Sequence, residues 1–194
     1  MKSDPAATQL LAQAEQLKFE ARHAEALKIL EQLLSQDPEN VTALEEVADN
    51  ELSLGNYARA GTAAERVLKI QPQSFSAHYI CGFIASQKED WKDSVESLKT
   101  ANKIEQNNPE ILRCLGWSLF NSGQQLQGMV TLERALNLED QNPLILCDLG
   151  VVYLRAKNFP KCKALLKRAL DLDPENERAG ECLEMVERIE KHVA

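Results

Sequence analysis

The chain has 194 residues, 44% hydrophobic and 27% charged, with 22 Lys+Arg against 30 Asp+Glu for a net charge of −8. That composition suits a soluble fold with a real core and lacks the dense basic face that phosphate binding needs, so neither nucleic acid nor an anionic membrane surface is an expected partner. No apolar run approaches the roughly 20 residues of a membrane span. The opening MKSDPAATQL has no signal core, and five cysteines without one read as reduced packing thiols, so the expected location is cytoplasmic.

Residues 1–6 form a short N-terminal arm. Asp4-Pro5 then offers a capping side chain with proline at the first helical position. The segment ARHAEALKILEQLLSQDP (21–38) returns 34 residues later as GNYARAGTAAERVLKIQP (55–72). It returns again as EDWKDSVESLKTANKIEQ (89–106), GQQLQGMVTLERALNLED (123–140) and KNFPKCKALLKRALDLDP (157–174). Five blocks therefore tile the chain without insertion, at 7–40, 41–74, 75–108, 109–142 and 143–176. Such a period is the mark of a repeat architecture.

Each block reads as two helices joined by a tight turn. Ala60, Ala64, Val67 and Leu68 show the helical spacing of a buried stripe in one second helix. Asn108-Pro109 and Asn142-Pro143 start first helices, and Pro160 falls at the start of a second helix, where proline is tolerated. Asp37-Pro38 and Asp173-Pro174 punctuate block ends. No stretch alternates with period two, so strands are not needed. Residues 177–194, ERAGECLEMVERIEKHVA, carry one apolar stripe (Ala179, Leu183, Val186, Ile189) flanked by charge. A polar-backed helix of this kind closes the exposed end of a stack.

The blocks resemble the tetratricopeptide repeat family. Position 8 of each block is small, as Ala14, Ala48, Gly82, Gly116 and Gly150, and so is position 20, as Ala26, Ala60, Ser94, Gly128 and Cys162. Alanine recurs at position 27 as Ala101, Ala135 and Ala169. Glu51 is the clearest departure, a charge at position 11 where a large apolar residue is usual. The resemblance implies an all-α, right-handed helical-repeat solenoid (α-α superhelix) of about eleven helices.

It also implies that block positions 2, 5, 9 and 12 of the first helices face a concave groove. Those positions hold Tyr79 and Phe83 in block three, Arg113, Trp117 and Phe120 in block four, and Cys147, Val151 and Leu154 in block five. In LRCLGWSLF (112–120) this explains two bulky aromatics away from the stripe of Leu112, Leu115 and Leu119. Block two instead gives an acidic patch of Glu45, Glu46 and Asp49. Aromatic side chains of roughly 150–250 Å² each, left open together, mark a binding centre. The expected partner is a protein segment, an apolar helix or extended peptide with a basic flank where it meets the acids. In this reading Arg113 stacks on an aromatic or pairs with a carboxylate of that segment.

Some members of the family grip acidic chaperone tails through a carboxylate clamp of lysine, asparagine and arginine. The matching positions here hold Leu11, Glu15, Glu46, Ser76 and Ile80, so the clamp is absent. Cys81, Cys114 and Cys147 recur every 33 residues, but on successive helices about 8–10 Å apart they do not share one zinc. No nucleophile elbow or phosphate loop is present. The function implied is a non-catalytic adaptor or cochaperone-like module without cofactor or metal. A homo-oligomeric scaffold, or a regulatory subunit of a larger assembly, is the alternative.

Overall fold

The computed structural model describes residues 5–193. The described residues form eleven α-helices and no strand. The first four residues of the expected arm, Asp4 among them, lie outside the described residues, while Pro5 and Ala6 already belong to the first helix.

The helices fall into two compact units, Met1–Ile104 and Glu105–Ala194. The first holds α1 (Pro5–Phe19), α2 (His23–Gln36), α3 (Val41–Ser53), α4 (Tyr57–Ile70), α5 (Phe75–Gln87) and α6 (Trp91–Ile104). The second holds α7 (Pro109–Asn121), α8 (Gln125–Leu138), α9 (Pro143–Arg155), α10 (Phe159–Leu172) and α11 (Glu177–Val193).

Local chemistry repeats with the block. The last residue of each block caps the next first helix: the side chains of Asn40, Ser74, Asn108, Asn142 and Asn176 accept from the amide three residues on, at 3.0–3.2 Å. Such a cap satisfies one of the amides that a helix start leaves without a partner. Pro109 and Pro143 occupy first-turn positions behind their asparagines, and Pro160 does so in α10.

The turn inside each hairpin is equally regular. Position 15 of every block, Ala21, Gly55, Glu89, Gly123 and Lys157, takes a positive φ between 57° and 92°. The amide after it returns to the carbonyl five residues back, as in Arg22 to Leu17 and Asn158 to Tyr153, at 2.8–2.9 Å. This is the Schellman closure, which usually falls to glycine. Three blocks accept the left-handed conformation in a residue with a Cβ, at a cost of about 1–2 kcal/mol each.

The two helices of each hairpin meet at positions 8 and 20. The tightest approach is in the fourth block. A Cβ on Gly128 would lie 2.5 Å from the Phe120 amide nitrogen and 2.6 Å from the Gly116 carbonyl oxygen. Backbone touches backbone there, and only glycine fits. In the third block Ser94 fills the same position and donates its hydroxyl to the Gly82 carbonyl at 2.8 Å.

The core of the first unit runs from Ala14, Ala26 and Leu30 to Leu44, Ala60, Val67 and Ile80, all buried. In the second unit Leu132, Leu146, Leu149, Val152 and Leu166 fill the same role. Glu51 is fully buried, and its charge is met rather than repacked. Asn56 Nδ2 donates to Oε2 at 2.7 Å, and Arg59 Nε lies 2.9 Å from Oε1. A buried carboxylate tolerates its site only with such partners. α11 starts as a sixth first helix behind Asn176, with Ala179 and Val186 buried against the second unit's core. At position 8 of that would-be block stands Glu184, exposed, where the other first helices receive a partner.

Candidate functional site

The first helices of each unit, α1, α3 and α5 in one and α7, α9 and α11 in the other, carry the expected site residues.

In the first unit Phe83 packs against Tyr79 and Tyr57, with ring centroids 6.2 Å apart in both pairs. Tyr79 and Phe83 are half-buried, so part of each ring stays open. The acids of α3 are engaged. Lys18 Nζ lies 2.7 Å from Glu46 and 3.1 Å from Asp49, and Ser74 donates to Glu45 at 2.5 Å. Burial works against the Lys18 charge, but these carboxylates outweigh it and hold its pKa above the ordinary lysine value. The patch read as Glu45, Glu46 and Asp49 is thus partly neutralised from within, which weakens its pull on a basic partner.

In the second unit the structure withdraws three expected residues from the surface. Phe120, Cys147 and Val151 are 4%, 2% and 7% exposed and belong to the core cluster. Trp117 and Leu154 remain half-buried, and Leu144 on the same helix as Leu154 is 51% exposed.

Arg113 does not await a partner. Its Nε and Nη2 donate to the two Glu110 oxygens at 2.9 and 2.6 Å, and its Nη1 donates to Asp148 Oδ2 at 2.8 Å. Burial alone would lower its pKa; the facing carboxylates raise it above the usual arginine value. Asp148, buried on α9, gives its other oxygen to Arg178 Nη1 at 2.7 Å. One carboxylate therefore ties α7, α9 and α11 together.

The cations that stack on Trp117 are two residues the groove positions did not include. The Arg178 guanidinium lies 4.4 Å from the indole centroid, and that of Arg155 lies 5.7 Å from both the Trp117 and Phe120 rings. Arg155 stands one residue beyond position 12, and Arg178 sits in α11, which the sequence marks only as a cap. Position 2 of a sixth block, counted past Asn176, is the signal that points to Arg178.

Cysteine chemistry here is packing chemistry. Burial pushes the Cys114 thiol up to about 12 and those of Cys147 and Cys162 up to about 11, far from the range of a reactive thiolate. Among the described residues no group of three or more His, Cys, Asp or Glu side chains is placed to hold a metal. No helix there is long and apolar enough to cross a membrane.

Capped helical hairpins on a 34-residue period, with small residues at each crossing, define a helical-repeat protein. Residues 20–82 and 143–176 each match a family model of the tetratricopeptide repeat, together half of the chain. The chain is a tetratricopeptide repeat protein.

No curated protein matches the sequence. Among solved structures, a thermophilic repeat protein of Thermus thermophilus is 20% identical with a TM-score of 0.72, over 93% of this chain and 98% of that one. YrrB, a repeat protein with an unusual peptide-binding site, is 19% identical with a TM-score of 0.66, over 90% of each. A chain of the APC/C hetero-tetramer Cut9–Hcn1 is 18% identical with a TM-score of 0.86, over 97% of this chain and 38% of that one. At these identities the likeness is one of fold.

Proposed function

We propose that the chain is a non-catalytic interaction module, adaptor or cochaperone-like, that holds a segment of a partner protein on the concave side of its first helices. The observation that carries this reading is Trp117. It stays half-buried, as does Leu154 on α9, whose first turn also leaves Leu144 exposed, in a unit that buries nearly every other large apolar side chain of α7 and α9. A half-open indole beside aliphatic side chains, framed by arginines, has the composition of a binding centre. Tyr79 and Phe83 offer a comparable aromatic step in the first unit. A structural neighbour with a peptide-binding site and another that is part of a hetero-tetramer are consistent with protein partners.

The test compares wild type with Trp117→Ala and with the milder Leu144→Ser in a crosslinking capture from native lysate. Circular dichroism verifies the fold of each variant, and mass photometry of the purified chains accompanies the capture. A specific protein retained by wild type and lost by both variants supports the reading. If the wild type forms higher oligomers that both variants abolish, and no partner is lost, the chain is a self-associating scaffold instead.

A further inference from the structure

On the first-helix face of the second unit, three guanidiniums meet two carboxylates. Arg113 is fully engaged by Glu110 and Asp148, and both Asp148 oxygens are taken, by Arg113 and Arg178. Arg155 is left over. It donates through Nη1 to the Asn121 amide oxygen at 2.8 Å and pairs with no carboxylate among the described residues. Most of its five donors are thus without a protein acceptor. It does not wave freely, since it lies over the Trp117 and Phe120 rings. Arg178, 47% exposed along its side chain, stacks on the same indole.

We infer that the segment held on this face is acidic: a side-chain carboxylate of the partner seats on Arg155 and the outer edge of Arg178, while an adjoining apolar side chain lies on Trp117 and Leu154, and a second apolar side chain of the segment meets Leu144, about 15 Å away along α9. The inference rests on the interaction reading above and names the chemistry of the partner. Guanidiniums pinned against an aromatic ring lose less freedom on forming a bidentate pair than free ones do. A basic segment would meet two like charges here, which selects against it.

The source is a side chain rather than a chain terminus. The clamp of lysine, asparagine and arginine that grips a carboxyl terminus in the family is absent here, and the Ala179 amide beside Arg178 is already taken by the Asn176 side chain. The acid requirement belongs to this unit alone. On α3 of the first unit, Glu45, Glu46 and Asp49 set the opposite sign, offset by Lys18.

The probe is a phage-displayed library of random decapeptides, selected on the whole wild-type chain. The selected peptide is then made with both ends blocked, alongside a version with its acid replaced by the matching amide. Binding is read by the anisotropy of a fluorophore attached to the peptide, so that every variant of the chain is compared in the same assay. The expected selection pairs an acidic residue with a large apolar one, and the amide version binds about tenfold or more weakly. Against Arg155→Gln that difference collapses, and Arg155→Lys restores part of it.

Peptides that depend on Leu144 and Trp117 but are basic, or bind equally as amides, overturn the inference and leave the interaction reading standing. Binding that requires a free carboxyl terminus also overturns it. No selected peptide, or peptides indifferent to Leu144→Ser and Trp117→Ala, overturns the interaction reading and the inference with it.

Discussion

Replacing Asp148 by alanine removes the carboxylate that joins three first helices of the second unit. Its side chain is 3% exposed, with Arg113 Nη1 at 2.8 Å and Arg178 Nη1 at 2.7 Å. Deleting one partner of a buried ion pair costs about 3–5 kcal/mol, because the remaining charge is stranded. Two features place this case at the low end. Arg113 keeps both bonds to Glu110, and Arg178 is open enough to be rehydrated.

The loss comes to about 3 kcal/mol, chiefly the stranded Nη1 of Arg113 and the lost link between helices. Urea unfolding followed by Trp117 emission in a Trp91→Phe background reports the second unit alone, because the chain has two tryptophans. With a slope of about 1.5 kcal/mol per M, the midpoint falls by about 2 M. Asp148→Asn, which keeps the shape and loses the charge, should lose nearly as much. A midpoint shift below about 0.5 M in both variants would refute the claim that this carboxylate holds the unit together.

Two glycines on helices should respond with opposite signs. Gly128→Ala forces a methyl against backbone atoms at 2.5–2.8 Å, so it should cost about 1–3 kcal/mol despite the higher helix propensity of alanine. Gly180→Ala meets nothing within 4 Å and should gain about 0.5–1 kcal/mol; thermal melts of both variants check the pair. Iodoacetamide at about pH 8 should label the half-buried Cys81 and Cys182 before Cys114, Cys147 and Cys162, as peptide mass mapping will show.

The same buried thiols make the fold sensitive to alkali. An unfolded thiol ionises near 9, while burial holds Cys114 near 12 and Cys147 and Cys162 near 11. Their contribution is therefore complete below about pH 9 and is lost as pH rises through the folded values. The alkaline fall in the urea midpoint should be smaller when all three are alanine.

Period, helix pairing and capping were all legible in the sequence, because each depends on residues a few positions apart. Asn108-Pro109 and Asn142-Pro143 start helices by local hydrogen bonding alone, and small residues at positions 8 and 20 announce where helices cross. The left-handed turn at Ala21, Glu89 and Lys157 was not legible, since two glycines in five blocks do not reveal it. There the Schellman closure of the whole hairpin overrides the preference of one residue.

The open face of the second unit was decided by tertiary structure. Positions 5, 9 and 12 sit on one side of a helix by spacing. Yet whether Cys147, Val151 and Phe120 see solvent depends on how far neighbouring helices cover that side, and here they bury all three. Which arginine is left without a carboxylate depends on the same packing. The bends that bring Arg178 across to Asp148 and Trp117 consign Arg113 to an internal ion pair and leave Arg155 facing outward. A side chain's charge is written in the sequence, but its partner is a matter of distances between helices that are remote along the chain.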